Sequence, residues 1–248
     1  MSGHNKWSTI KHKKGKADAA RGKLFTKIIK EITIAARAGG GDETANPRLR
    51  TAVATAKAAN MPIDNIARAI KKGTGELEGV SYDEIYYEGY GPEGVAILVQ
   101  TLTDNRNRTI SEIRHTFGKY AGKIAEPGAV AWIFEDAGNI VVSGEGVDED
   151  KLMEVVMEGG GDDMEASGDG FEISCSLSVL EELKVAIQGA GFTVEEAEYT
   201  KKPTNSVAIE GKSAESLLRL LNALEELDDV QNIFSNFDMD DDLLDELQ

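Results

Sequence analysis

Cysteine is nearly missing from this chain. Cys175 is the only one among 248 residues, so no intrachain disulfide can form, which suits a reducing compartment. Histidine is scarce too. His4, His12 and His115 make no i, i+4 pair and have no second thiol near them, which excludes the ligand spacing of a zinc site. No apolar run approaches the roughly 18 residues needed to span a bilayer. The N-terminus, MSGHNKWSTIKHKKGK, lacks the apolar h-region of a secretory signal. Its basic, serine-containing character is shared with transit peptides. Helical patterning begins directly after it, however, and we read it as an arm of the mature protein. These absences point to a soluble cytoplasmic protein, and they leave the sequon Asn107-Arg108-Thr109 without meaning.

Positive charge is also in deficit, with 27 Lys+Arg against 44 Asp+Glu and a net charge of -17. Its distribution reverses the first impression. Residues 1–75 hold 16 basic and 5 acidic side chains, a net of +11, whereas residues 76–248 hold 11 and 39, a net of -28. Such asymmetry points to a polyanion-binding module joined to a body that does not bind polyanions. The alternative is a solvated basic face, which would repel itself without a counter-surface. The acidic body should be pushed away from a phosphate backbone, turning the basic module inward.

The patterning divides the chain into three parts. In the first, Leu24, Phe25, Ile28, Ile29, Ile32, Ala35 and Ala36 recur at helical spacing and predict a helix over 17–38, stopped by Gly39-Gly40-Gly41. Asn46-Pro47 reads as an N-cap with proline at the first helical position. That second helix runs to about residue 59, and Asn60-Met61-Pro62 separates it from a third over 63–72. Residues 81–90 and 95–103 then read as strands, 107–121 as a helix, and 129–135 as a strand. Next comes strand 138–143, helix 148–158, strands 162–167 and 171–176, helix 178–189 and strand 192–200. That is βαββαβ, the order of a ferredoxin-like unit. A strand at 206–210, a helix at 213–227 and a strand at 230–237 complete the chain, before an acidic tail that should fray. The expected class is therefore α+β with three domains. A basic helical domain spans 1–78, a split α+β domain takes 79–136 and 204–248, and the ferredoxin-like domain is inserted at 137–203.

Catalysis finds little support. Gly89-Tyr90-Gly91-Pro92-Glu93-Gly94 has the spacing of a dinucleotide loop, but a β-type run follows where a phosphate-binding helix is required, so a hairpin is expected. Lys71-Lys72-Gly73-Thr74-Gly75 lacks P-loop spacing and reads as a helix end. Cys175 lies in the alternating run Phe171–Cys175, where a buried structural thiol is usual. We expect no enzyme activity, no cofactor, no metal and no small-molecule substrate.

The residues that carry chemistry are basic. Lys6, Lys11, Lys13, Lys14, Lys16, Arg21 and Lys23 meet a single acidic residue, Asp18, with Trp7 and His12 interleaved. Lysines displace counterions from phosphates, and an indole stacks on an unpaired base; equally, Trp7 would serve as a hydrophobic anchor for the arm. Six engaged phosphates would give a log–log salt slope of roughly -4 to -5. Arg48 and Arg50 on the second helix, and Arg68, Lys71 and Lys72 on the third, extend the basic surface. The tight link between these two helices resembles a helix-turn-helix, although a bundle with a basic outer face explains it better. A further group, Arg106, Arg108 and Arg114, follows Thr103-Asp104-Asn105. These arginines suit phosphates and base edges, or else they pair with acidic neighbours and bridge domains.

Several of these stretches belong together. Gly3–Ser8 with Ile10–Lys14, Asn60–Ile70, Tyr87–Pro92, Thr103–Thr109 and Asp229-Val230-Gln231-Asn232 resemble the YebC (PmpR-type) family along almost the whole chain. The stretch Tyr120–Glu126 is less glycine-rich than that family usually shows. The resemblance implies a helical N-terminal domain, a split α+β domain and a ferredoxin-like insertion. It also implies a DNA-binding transcriptional regulator or, from other relatives, a ribosome- or RNA-associated factor that aids translation through proline-rich stretches. It supplies no catalytic residues. A third reading is an adaptor whose acidic body holds basic proteins.

Overall fold

The structure is a computed structural model that describes residues 18–144, 146–167 and 170–239, with side chains from residue 21 onward. Helix α1 (Asp18–Gly39) buries Ile28, Ile32, Ala35 and Ala36, the stripe its spacing predicts. Helix α2 (Pro47–Ala58) begins at the expected cap. The Asn46 carbonyl oxygen accepts from the Leu49 amide at 3.1 Å, and its NH2 donates to the Ala35 and Gly40 carbonyls, both at 2.8 Å. One side chain thus starts α2 and ties it to the end of α1. α2 stops at a left-handed Asn60 (φ 57°), with the Asn60 and Met61 amides donating back to Lys57 and Ala56. That stop produces the tight link to α3 (Ile63–Gly73). α1 packs on both other helices around Ile32, Leu49, Val53, Ala56, Met61 and Ile66, so the unit is a three-helix bundle.

The chain then forms β1 (Asp83–Tyr90), a 3-10 turn (Pro92–Gly94), β2 (Ala96–Thr103), α4 (Arg106–Lys119), β3 (Lys123–Ile124) and a second 3-10 turn (Ala131–Ile133). It continues with β4 (Phe134–Ser143), α5 (Glu149–Glu158), β5 (Gly161–Ser167), β6 (Gly170–Cys175), α6 (Leu180–Gly189) and β7 (Val194–Pro203). It closes with β8 (Val207–Ala208), α7 (Gly211–Glu225), β9 (Val230–Ser235) and β10 (Phe237–Asp238). The central sheet has the order β3-β1-β2-β9 and is antiparallel throughout. Strand β2 is buried on both faces, which explains its unbroken apolar run. Ile97 and Val99 meet α4 and α7 through Ile113, Phe117, Leu217 and Leu221, whereas Ala96 and Leu98 meet Val130, Ile133 and Phe134.

The second sheet, β5-β6-β4-β7, is the ferredoxin-like insertion, with α5 and α6 packed on Ile140, Val142, Ile173 and Cys175. The architecture is the α+β class that the sequence implies. Some details differ from expectation. Strands expected at 129–135 and 138–143 are instead a 3-10 turn followed by one long strand, β4. Gly138 stands inside this ladder, where a Cβ would meet the Cys175 Sγ at 2.8 Å and Leu180 at 2.9 Å. The C-terminal strands are shorter than expected, and β8 pairs with β10 in parallel.

Candidate nucleic-acid interface

The basic side chains of the helical domain fall into two groups. The first group faces the body. Lys23, Lys27 and Lys30 recur every three to four residues along α1 and meet the C-terminal end of α7, where helix carbonyls lack partners. Lys23 Nζ donates to the Glu226 carbonyl at 3.1 Å and its carboxylate at 2.6 Å. Lys27 Nζ reaches the Glu225 carbonyl at 3.2 Å, and Lys30 Nζ the Asp228 carbonyl at 2.9 Å. Burial pushes the Lys27 amine down to about 8.

Lys30 also donates to the buried Asp229 at 2.8 Å. The other Asp229 oxygen accepts from Arg108 Nη2 at 2.8 Å, Thr109 Oγ1 at 2.7 Å and Thr103 Oγ1 at 3.1 Å. Burial would raise this carboxyl, but the bonds from Lys30, Arg108 and Thr109 override it and hold it at about 2. The signature stretches Thr103–Thr109 and Asp229–Asn232 therefore converge on one buried carboxylate. Their polar residues fix the helical domain to the central sheet.

Most of the sequence candidates on this side are similarly occupied. Arg48 forks onto Glu31 at 2.6 Å and onto Glu84 of β1 at 2.9 Å. Arg106 pairs with Asp83 at 3.0 Å, and Arg108 with Asp104 at 2.7 Å as well as Asp229. Arg48, Arg106 and Arg108 each pair with a nearby carboxylate, and Arg48 and Arg108 bridge domains, the alternative that the sequence left open for Arg106 and Arg108. Lys23 joins them in part, since it stays exposed.

The second group faces out. Arg68, Lys71 and Lys72 lie exposed on α3, where its buried face is Ile66 and Ala69, and none has an ion-pair partner among the described residues. Arg21 is exposed over the Phe25 ring at 5.6 Å, and Arg50 donates to the carbonyls of Glu43 and Thr44. Arg114 is exposed on α4, separate from this surface. Lys6, Trp7, Lys11, His12, Lys13, Lys14 and Lys16 lie outside the described residues.

The glycine-rich turn between β1 and β2 is a hairpin link, as expected, with Glu93 and Gly94 at positive φ. An open cavity of about 630 Å³ beside it is lined by Tyr90, Gly91, Gly94, Ala121, Gly122 and Lys123. Cys175 is fully buried, and burial raises its thiol. Among the described residues no group of three His, Cys, Asp or Glu is placed to hold a metal, and no helix is long and apolar enough to cross a membrane. The sequence reading missed Lys27, Lys30 and the exposed Trp132. Their roles depend on contacts across more than a hundred residues or on a turn with no helical or strand period.

A helical bundle docked on a split sheet that carries a ferredoxin-like insert defines a class of three-domain α+β proteins. Two family models match the chain: the TACO1/YebC protein N-terminal domain over residues 5–76 and the TACO1/YebC second and third domain over residues 82–237. The chain belongs to the TACO1/YebC family. A relative from Desulfatibacillum aliphaticivorans is 58% identical over 99% of this chain and 100% of its own length. One from Geobacter sulfurreducens is 57% identical over 96% of each. Both are named probable transcriptional regulatory proteins. A crystal structure of a conserved hypothetical protein from Aquifex aeolicus superposes with a TM-score of 0.84 at 47% identity, covering 91% of this chain and 93% of that one.

Proposed function

We propose that this chain is a cytoplasmic regulator of gene expression that binds nucleic acid through the outward face of α3 and the lysine-rich segment before α1, without catalysing a reaction. The carrying observation is the contrast within one small domain. Lys27 and Lys30 on α1 and Arg48 on α2 are satisfied by the protein's own carboxylates and carbonyls, while Arg68, Lys71 and Lys72 remain exposed and without an ion-pair partner among the described residues. Cations left in solvent on one helix face displace counterions from a phosphate backbone. The acidic remainder orients that face toward the polyanion.

Duplex DNA is the first partner to consider, given the relatives' names. The α3 face offers phosphate contacts rather than a set of side chains shaped to read base edges, so sequence preference would come from DNA shape. RNA or the ribosome is the second reading, favoured by the lysine arm with Trp7, which suits irregular single strands. Cross-linking in cells with sequencing of the bound nucleic acid separates the two. Promoter DNA supports transcriptional control, and ribosomal RNA supports translational control. Recovery of neither, together with unchanged binding after charge reversal at Arg68, Lys71 and Lys72, would remove the proposal.

A further inference from the structure

From residue 76 onward the chain carries 39 acidic side chains against 11 basic ones, yet five of those 11 fall between Arg106 and Lys123, with Glu112 the one carboxylate among them. Arg106 and Arg108 are taken by Asp83, Asp104 and Asp229. Arg114, Lys119 and Lys123 are exposed and have no ion-pair partner among the described residues. The elements packed on α4 do not supply one. On β1, Asp83 is bound by Arg106, Glu84 by Arg48, and the Glu88 carboxylate accepts from the amides of Gly128, Val130 and Ala131. α7 meets the end of α4 where Ser216 Oγ donates to the Tyr120 carbonyl at 3.3 Å, and Glu215 beside it is held by Arg219. In an acidic body, three cations are left to the solvent.

The face they share is built for close approach. α4 buries Thr109, Ile113, Thr116 and Phe117, so the 3.6-residue turn puts Ser111 and Gly118 on the opposite side. Arg114 flanks them on one hand, His115 and Lys119 on the other. Glycine weakens a helix interior relative to alanine. Here neither packing nor backbone asks for it: a Cβ on Gly118 would meet nothing within 4 Å, and its φ is not positive. What the missing side chain leaves bare is the outer surface between Arg114 and Lys119. Lys123 follows on β3 and lines the open cavity beside the glycine turn, whose lining holds no carboxylate.

The same face argues against a protein partner. Protein interfaces have an apolar centre depleted of charge, whereas surfaces for a phosphate backbone are polar and positive. The exposed residues of α4 are Asn107, Ser111, Glu112, Gly118 and cations or histidine, and the exposed large apolar side chains of the chain all lie on other elements.

From this arrangement we infer that the outer face of α4 and the start of β3, with Arg114, Lys119 and Lys123, form a second surface for the phosphate backbone of nucleic acid, separate from α3. The inference rests on the proposed nucleic-acid function and adds to it. Asp229 accepts from Lys30 of α1 and from Arg108 in the first turn of α4, so the two cationic surfaces sit on domains joined at one carboxylate. One bent or folded polymer is then gripped at two places.

The test titrates the full chain with a DNA duplex and with an RNA hairpin of equal length across ionic strength. Replacing Arg114, Lys119 and Lys123 together with Gln should weaken binding of the preferred polymer at least about tenfold at low salt and flatten its log–log salt slope by about 2–3. The thermal midpoint should hold, since none of the three is paired. Gly118→Glu sets a carboxylate in open space on the same face and should weaken binding several-fold with folding intact; it decides the matter if the triple variant unfolds early. Suppose both variants bind as tightly with an unchanged slope, while charge reversal at Arg68, Lys71 and Lys72 abolishes binding. The second surface is then wrong and the proposed function stands. Absence of binding to either polymer by the unaltered chain would overturn both. A triple variant that keeps its nucleic-acid affinity and loses binding to poly-L-glutamate would assign the face to an acidic protein and overturn the inference.

Discussion

Helices α1 and α3 carry similar cations in one bundle, yet they meet opposite fates. The lysines of α1 are spent on the C-terminal end of α7 and on Asp229, and those of α3 face solvent. Local charge density therefore measures how much cation is present and not how much is available. What separates the two helices is docking. α1 lies against the central domain, where the carbonyls beyond the end of α7 and a buried carboxylate accept from its lysines, whereas only one side of α3 is covered.

The strongest way to break this contrast is Asp229→Ala. It strands the buried Lys30 ammonium and should cost about 3–5 kcal/mol in urea unfolding. An unchanged midpoint would mean that the α1 contacts are ornamental. The pH dependence carries a sign. Asp229 titrates at about 2 when folded, so its contribution is complete above roughly pH 4 and is lost as pH falls toward 2. Glu172 on β6 sharpens the point as a buried carboxylate without a cation bonded to it. It is 5% exposed, one oxygen lacks a partner, and burial, aided by Glu165 and Glu196 against the Asn139 bond, pushes it up to about 7. Its stabilising effect is full below about pH 4 and disappears as pH rises through 7. Glu172→Gln should then stabilise the protein by about 2 kcal/mol at pH 8 and by little at pH 5, read by thermal or urea unfolding at the two pH values. A gain of equal size at both would show that the effect is not titration.

The next effect is on binding. Replacing Arg68, Lys71 and Lys72 together with Gln should flatten the salt dependence of duplex-DNA affinity by about 2–3 in log–log slope, measured by titration across ionic strength. A slope that stays put removes α3 from the interface. Smallest of all is Lys23→Gln. Its pair with Glu226 is exposed, so stability should fall by less than about 1 kcal/mol and the salt slope should hold. A drop as large as that of the α3 variant would erase the distinction between the helices.

Much of the scaffold is legible in the sequence alone. The α1 stripe, the Asn46 cap and the βαββαβ order are local signals, written within a few residues of where they act. The misreadings share a different cause. The break expected between residues 135 and 138 is absent: Gly138 runs within β4, close to Cys175 and Leu180 on other elements. For Arg106 and Arg108 the sequence left phosphate contact and pairing with acidic neighbours both open, because Asp83 and Asp229 are distant in sequence. Lys27 and Lys30 were missed because the carbonyls they meet lie 198 residues further along the chain. Trp132 gave no period at all, since a 3-10 turn of three residues has none to give.

The insert leaves and rejoins the central domain at a single point. Phe134 pairs with Pro203, and the Thr204 amide bonds to the Ile133 carbonyl at 2.8 Å. Two chain ends that close make residues 134–203 behave as a cassette on a clip. Shortened, exchanged or removed, the cassette would leave a gap that a tight loop closes, so this module can diverge in sequence and shape while the sheet that carries it keeps its register.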